Sequence, residues 1–178
     1  MVESKAKLVI LDIDGVMTDG SKVYGLDGIP FAKSYCDKDF TAIKRLRGSG
    51  VHVCFLSGDD RVNAAMADNR NIDFYLARGK DKAEFIPMLS EKYDTHPGDM
   101  VYVGDDLFDL SIMCSVGHAF CPSDSCVDVK DACGFENILN CSGGKNVVMR
   151  LQEVLLERNL IDDCTMQDIE ALDKSETF

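Results

Sequence analysis

Short apolar runs alternate with segments of helical spacing along almost the whole chain. "KLVILDI" (7–13) is apolar and rich in branched residues, which predicts a buried strand. "SKVYGLDGIPFAKSY" (21–35) holds a Gly-Leu-Asp-Gly turn between two extended pieces and predicts a hairpin. "DKDFTAIKRLRGSG" (37–50) opens on acids, keeps Ile43 and Leu46 on one face and stops at Gly48 and Gly50, the signature of a helix. A second buried strand follows at 51–58, a helix at 60–70 and a short strand at 73–77. Residues 80–93 have helical spacing, with Pro87 marking a kink or break.

"DMVYVGDD" (99–106) predicts a strand that runs into an acidic turn, and 107–117 a short helix. A strand at 118–122, a helix near 124–132, a short strand at 135–139 and a helix from about 145 to 158 complete the pattern. This alternation predicts an α/β fold: a doubly wound, mostly parallel sheet with helices on both faces, a small β-hairpin insertion and no cap domain. The expected organisation is one core over 1–158 with the hairpin at about 21–35. Residues 159–178 form an acidic C-terminal tail. The stretch 162–178 carries six acids and one lysine and is expected to be loosely held.

In such a sheet, ligands bind beyond the carboxyl ends of the strands. Those ends carry "DID" after the first strand, "SG" after the second and "GDD" after the strand at 99–106, with "GKDK" following the short strand at 73–77. Asp12, Asp14, Asp105, Asp106 and Asp109 would converge at one edge. Carboxylates so crowded repel one another unless a cation lies among them. A hard divalent ion with oxygen ligands resolves the conflict, and magnesium suits both the ligands and a phosphate substrate. One carboxylate can then attack phosphorus, and a second, two residues away on the same side of an extended backbone, can move the protons. Ser57 and Lys82 fit by type and position to hold the remaining phosphoryl oxygens.

Net charge narrows the choice of substrate. With 19 basic and 31 acidic residues the formal charge is −12, which argues against nucleic acid and anionic membranes as partners. No apolar run approaches the roughly 20 residues of a membrane span, and the run at 8–11 is too short for a signal-peptide core, so the expected location is the cytoplasm. The eight cysteines contain no C-x-x-C pair, which favours free thiols over a zinc site or disulfides.

"DIDGVMTDG" (12–20), "LSG" (56–58), Lys82 in "GKDK" and "GDDLFD" (104–109) stand in the order found in the haloacid dehalogenase superfamily of phosphohydrolases, which the chain resembles to about residue 150. Closest is the capless branch that acts on octulosonate 8-phosphate and on nine-carbon sugar-acid 9-phosphates. The resemblance implies a magnesium-dependent phosphomonoesterase that works through an aspartyl-phosphate. Asp12 would be nucleophile and metal ligand. Asp14 would be general acid/base, with its carbonyl on the metal, and Asp105 a further ligand. Ser57 and Lys82 would hold the phosphoryl group, with Asp106 and Asp109 supporting from behind. It further implies substrate contacts from Gly58, Asp59, Lys38 and Asp39, and a homotetramer in which hairpin 21–35 covers a neighbour's site. The chain departs from the octulosonate enzymes at Asp59, where they carry arginine, and at Lys38-Asp39-Phe40, where they carry Arg-Asp-Gly. Alternatives are a non-catalytic oligomerisation or regulatory module on the same fold, and a phosphatase for another small phosphometabolite such as a mononucleotide.

Overall fold

The computed structural model describes residues 5–174. Its centre is β1 (Leu8–Leu11), whose four side chains are all fully buried. Such a strand can lie only in the middle of a sheet covered on both faces. It pairs in parallel with β4 (His52–Ser57) on one side and β6 (Met100–Val103) on the other. The sheet continues to β5 (Asp73–Leu76) beyond β4, and to β7 (His118–Pro122) and β8 (Ile138–Leu139) beyond β6. The order β5-β4-β1-β6-β7-β8 is parallel throughout. The chain leaves β1 toward β4 and later returns to β1's other edge, so the topological switch point falls at the end of β1.

Alternate residues of β1 feed the two cores. Val9 and Leu11 pack with Phe40, Ile43 and Leu46 of α1 (Asp37–Gly48) and with Leu151 and Leu155 of α6 (Val147–Glu157). Leu8 and Ile10 pack with Leu89 of α3 (Ile86–Lys92), Ile112 of α4 (Leu110–Met113) and Val129 of α5 (Val127–Cys133). Pro87 lies in the first turn of α3, after a 3-10 turn at Lys82–Phe85, so it marks a break as its ring geometry requires. Helix α2 (Arg61–Asn69) lies between β4 and β5 in the chain. The predicted hairpin is present as β2 (Val23–Tyr24) and β3 (Pro30–Ala32), apart from the main sheet.

Two expectations need correction. The strand at 135–139 is a 3-10 turn at Phe135–Asn137 followed by the two residues of β8. The acidic tail, expected to be loose, contains helix α7 (Met166–Asp173). A reciprocal Thr165–Asp168 capping box starts it. It packs beside α1, where Gly48 leaves room for Cys164 and Asp168, and the nearly buried Lys44 reaches Asp173 at 2.5 Å. Acids that read as solvated thus include a partner for a buried ammonium. Residues 175–178 of that tail lie outside the described residues. All eight cysteines are free thiols in the structure. No helix among the described residues is long and apolar enough to cross a membrane.

Candidate active site

At the carboxyl edge of the sheet the three strand ends open on one cleft of about 1040 Å³. Asp12 follows β1 directly; its backbone N–H still bonds Val103, so the ladder fixes its Cα before the chain turns away. Its side chain is almost buried, accepts from the Ile13 N–H at 2.7 Å and lies 2.8 Å from Lys82 Nζ. Burial raises its pKa to about 6, against the pull of Lys82. The Lys82 ammonium is also buried. Burial works against its charge, but Asp12 and Asp109 outweigh that and hold its pKa above the usual lysine value.

Asp109 is the hub of the acidic turn. One carboxylate oxygen accepts from Lys82 at 2.6 Å and from the Tyr102 hydroxyl at 2.5 Å; the other accepts from the N–H groups of Asp105 and Asp106 at 2.9 and 3.1 Å. A Cβ at Gly104 would lie 2.4 Å from the Asp109 carboxyl carbon, so only glycine permits this packing. Asp106 is exposed and its carboxylate accepts from the Leu107 N–H at 2.7 Å, capping its own turn.

Asp105 is the unresolved group. Its Oδ1 is buried without a hydrogen-bond partner, and its pKa is pushed up to about 8 by burial and by the charges of Asp12, Asp109 and Asp106. Asp12, Asp105 and Asp109 offer oxygens within 4.8 Å of one another. An orphaned buried carboxylate oxygen facing other carboxylates fits a hard divalent cation. Asp109 is already saturated by four donors, which leaves Asp12 and Asp105 as the side chains free to bind one. Gly15, at φ +82°, closes the loop against this point; a Cβ there would fall 2.0 Å from Asp105 Oδ2. Gly15→Ala is therefore expected to displace Asp105 and lower metal affinity at least tenfold, while the fold persists. Titration calorimetry with magnesium checks this.

Asp14 does not join the cluster through its carboxylate, which turns toward the hairpin. It accepts from Lys33 Nζ at 2.7 and 3.0 Å and lies 3.3 Å from Lys22 Nζ. Both lysines also reach Asp59, at 3.2 and 2.9 Å. Partial burial opposes the charge of Asp59, but the hydrogen bonds from Lys22 and Lys33 pull its pKa down to about 2. Ser57, buried at the end of β4, accepts from Asn63 Nδ2 at 3.2 Å, and Gly58 lines the cleft beside it. Asp19 closes the loop as an Asx turn to the Ser21 N–H at 2.9 Å, and Arg150 pairs with Glu153 and Glu157 on the surface of α6.

Two expected substrate contacts are not brought here. Lys38 is exposed in the first turn of α1, outside the lining of the cleft. Asp39 is fully buried and accepts from the Val148 and Met149 N–H groups at 2.8 and 3.0 Å. It satisfies the open N-terminus of α6, a structural role that fits a carboxylate beside unpaired amides. Sequence reasoning missed Lys22, Lys33, Asn63 and Tyr102. A lysine just before β2 and one just after β3 flank the inserted hairpin, and that placement was the available signal for the first two.

Buried carboxylates with a lysine among them, at the switch point of a parallel sheet, suit phosphoryl chemistry, and by similarity the chain is a phosphatase resembling the hydrolases of the haloacid dehalogenase superfamily. No family model matches the chain. The 3-deoxy-D-manno-octulosonate 8-phosphate phosphatase KdsC of Haemophilus influenzae is 29% identical over 153 residues, spanning 85% of this chain and 83% of the relative. Its counterpart in Escherichia coli K12 is 27% identical over 168 residues, spanning 92% and 86%. The solved structure of the cobalt-bound Haemophilus influenzae phosphatase aligns with a TM-score of 0.81 at 28% identity, covering 89% of this chain and 91% of the other.

Proposed function

We propose that the chain hydrolyses a small sugar-acid phosphate of the octulosonate 8-phosphate or nine-carbon 9-phosphate type, with Asp12 as nucleophile and magnesium as cofactor. The observation that carries this reading is the orphaned Asp105 Oδ1 beside a buried, lysine-paired Asp12 at the switch point. Asp12, Asp105 and the Asp14 carbonyl would hold the ion. When bound, it offsets carboxylate charge and polarises the phosphoryl group. Asp12 attacks phosphorus and carries the phosphoryl group as an aspartyl-phosphate. Lys82, held by Asp109 and Tyr102, would neutralise the phosphoryl charge. Ser57 donates to a second phosphoryl oxygen. Asp14 enters the cycle protonated; it gives that proton to the leaving oxygen and, as the carboxylate, takes one back from the attacking water. Gly58 and Asp59 would face the sugar acid across the cleft.

The relatives' names support the sugar-acid class. The exposed Val23, Tyr24, Leu26, Ile29 and Phe31 of the hairpin support a tetramer in which hairpin 21–35 covers a neighbour's cleft. Residues 1–158 would constitute the catalytic core. Phosphate release from a panel of sugar, sugar-acid and nucleotide monophosphates tests the reading. We expect magnesium-dependent release, abolished by a chelator, with a sugar-acid phosphate turned over best. Preference for a mononucleotide would overturn the substrate assignment. Release from no ester by a folded, metal-binding protein would favour a regulatory module.

A further inference from the structure

Lys33 stands out among the polar groups that the reaction does not use. It follows β3 in a hairpin whose apolar side chains are largely in solvent, yet its own side chain has no exposed surface. Burying an ammonium is costly unless its donors are all satisfied. Here they are: Asp14 at 2.7 and 3.0 Å, Asp59 at 3.2 Å and Asn63 Oδ1 at 2.8 Å. The Asn63 contact reaches further than the ion pairs. An ammonium can only donate, so it must meet the amide oxygen and not the nitrogen. The Tyr35 hydroxyl donates to the same oxygen at 3.0 Å. The Asn63 amide thus has one allowed orientation, with Nδ2 donating to Ser57 Oγ. Ser57 Oγ also receives the Asp59 N–H at 3.5 Å. A hydroxyl oxygen that accepts from the core side directs its own proton elsewhere, and the cleft is the open direction.

We propose that Lys33 is a positioning residue that sets two groups with one buried ammonium: the Asp14 carboxylate directly, and the Ser57 hydroxyl through Asn63. It rests on the phosphatase reading above and assigns a task to the hairpin's own subunit. The hairpin does not only border the cleft; through Lys33 it aligns the proton-transfer group with a phosphoryl-binding hydroxyl on another strand. Lys33 acts on the reaction only through Asp14 and Asn63, and Asn63 only through Ser57.

The leaving group separates this role from simple anchoring of the hairpin. An alkoxide needs a proton as it departs, whereas p-nitrophenolate does not. The experiment compares kcat on the best sugar phosphate from the panel with kcat on p-nitrophenyl phosphate, using the full chain with magnesium. For Lys33→Met we expect a loss of about 100-fold or more on the sugar phosphate and less than about tenfold on the nitrophenyl ester. Asn63→Leu, the second variant, keeps the Lys33–Asp14 pair. It should lose a similar factor, roughly tenfold, on both esters and weaken inhibition by inorganic phosphate. Equal losses on the two esters in Lys33→Met would overturn the proposal and reduce Lys33 to an anchor, as would unchanged turnover of both. An unaltered phosphate inhibition constant in Asn63→Leu would overturn the Ser57 arm. Wild-type protein that hydrolyses neither ester would instead defeat the phosphatase reading, and this inference with it.

Discussion

Asp12→Asn is expected to abolish phosphate release, by at least about 10⁴-fold, while leaving the melting temperature within a few degrees of wild type. Asparagine matches aspartate in shape, and its amide oxygen can still accept the Ile13 N–H. What it loses is the carboxylate proposed to attack phosphorus. The substitution also removes one of the charges that crowd Asp105, and Lys82 keeps Asp109 at 2.6 Å, so no buried charge is newly left unpaired. Loss of turnover with a retained fold would be a chemical effect. A variant that keeps even a tenth of wild-type activity would show that another group attacks phosphorus. The check is a phosphate-release assay beside a thermal melt.

Lys82→Met should damage both activity and stability, and the contrast with Asp12→Asn is diagnostic. Among the described residues the ammonium is the only cation that the buried Asp12 and Asp109 share, at 2.8 and 2.6 Å. Removing one partner of a buried ion pair strands the others and costs about 3–5 kcal/mol. For a domain of this size each kcal/mol lowers the melting temperature by roughly 2–4 °C. Turnover should fall by about 10²–10³-fold, because phosphoryl charge loses its fixed counter-charge. Magnesium should raise the melting temperature of this variant, since a cation between Asp12 and Asp105 relieves part of the same repulsion. Wild-type stability in Lys82→Met would contradict the electrostatic account of the site. Calorimetric melts with and without magnesium decide it.

Much of this site was legible because its chemistry is written at strand ends. Asp12, Ser57 and Asp105 each follow or end a buried strand, and backbone pairing alone brings such positions to one edge. The same logic placed Lys82 and Asp109 near them. What remained hidden depended on side chains meeting across elements distant in sequence. Lys33 and Asn63 are 30 residues apart, and each reads alone as an ordinary solvated residue. Tyr102 reads as a core aromatic until its hydroxyl is seen against Asp109. Asp39 misled for the opposite reason: its place in Lys38-Asp39-Phe40, where the resembling enzymes carry Arg-Asp-Gly, implied a substrate contact, yet it caps the start of a helix 109 residues away. Helix α7 was missed because its acids outweighed a local signal. Thr165 and Asp168 have the spacing of a capping box, with Ile169 and Leu172 set for one face.

The covalent step is tested by a rapid acid quench during turnover of the preferred ester, followed by peptide mass spectrometry. A phosphoryl group is expected on the peptide that contains Asp12, present in wild type at early times and absent in Asp12→Asn. Phosphoryl label on Asp14 or Asp105 would reassign the nucleophile. Turnover that leaves no labelled aspartate in either protein would contradict the aspartyl-phosphate mechanism and favour direct attack by water.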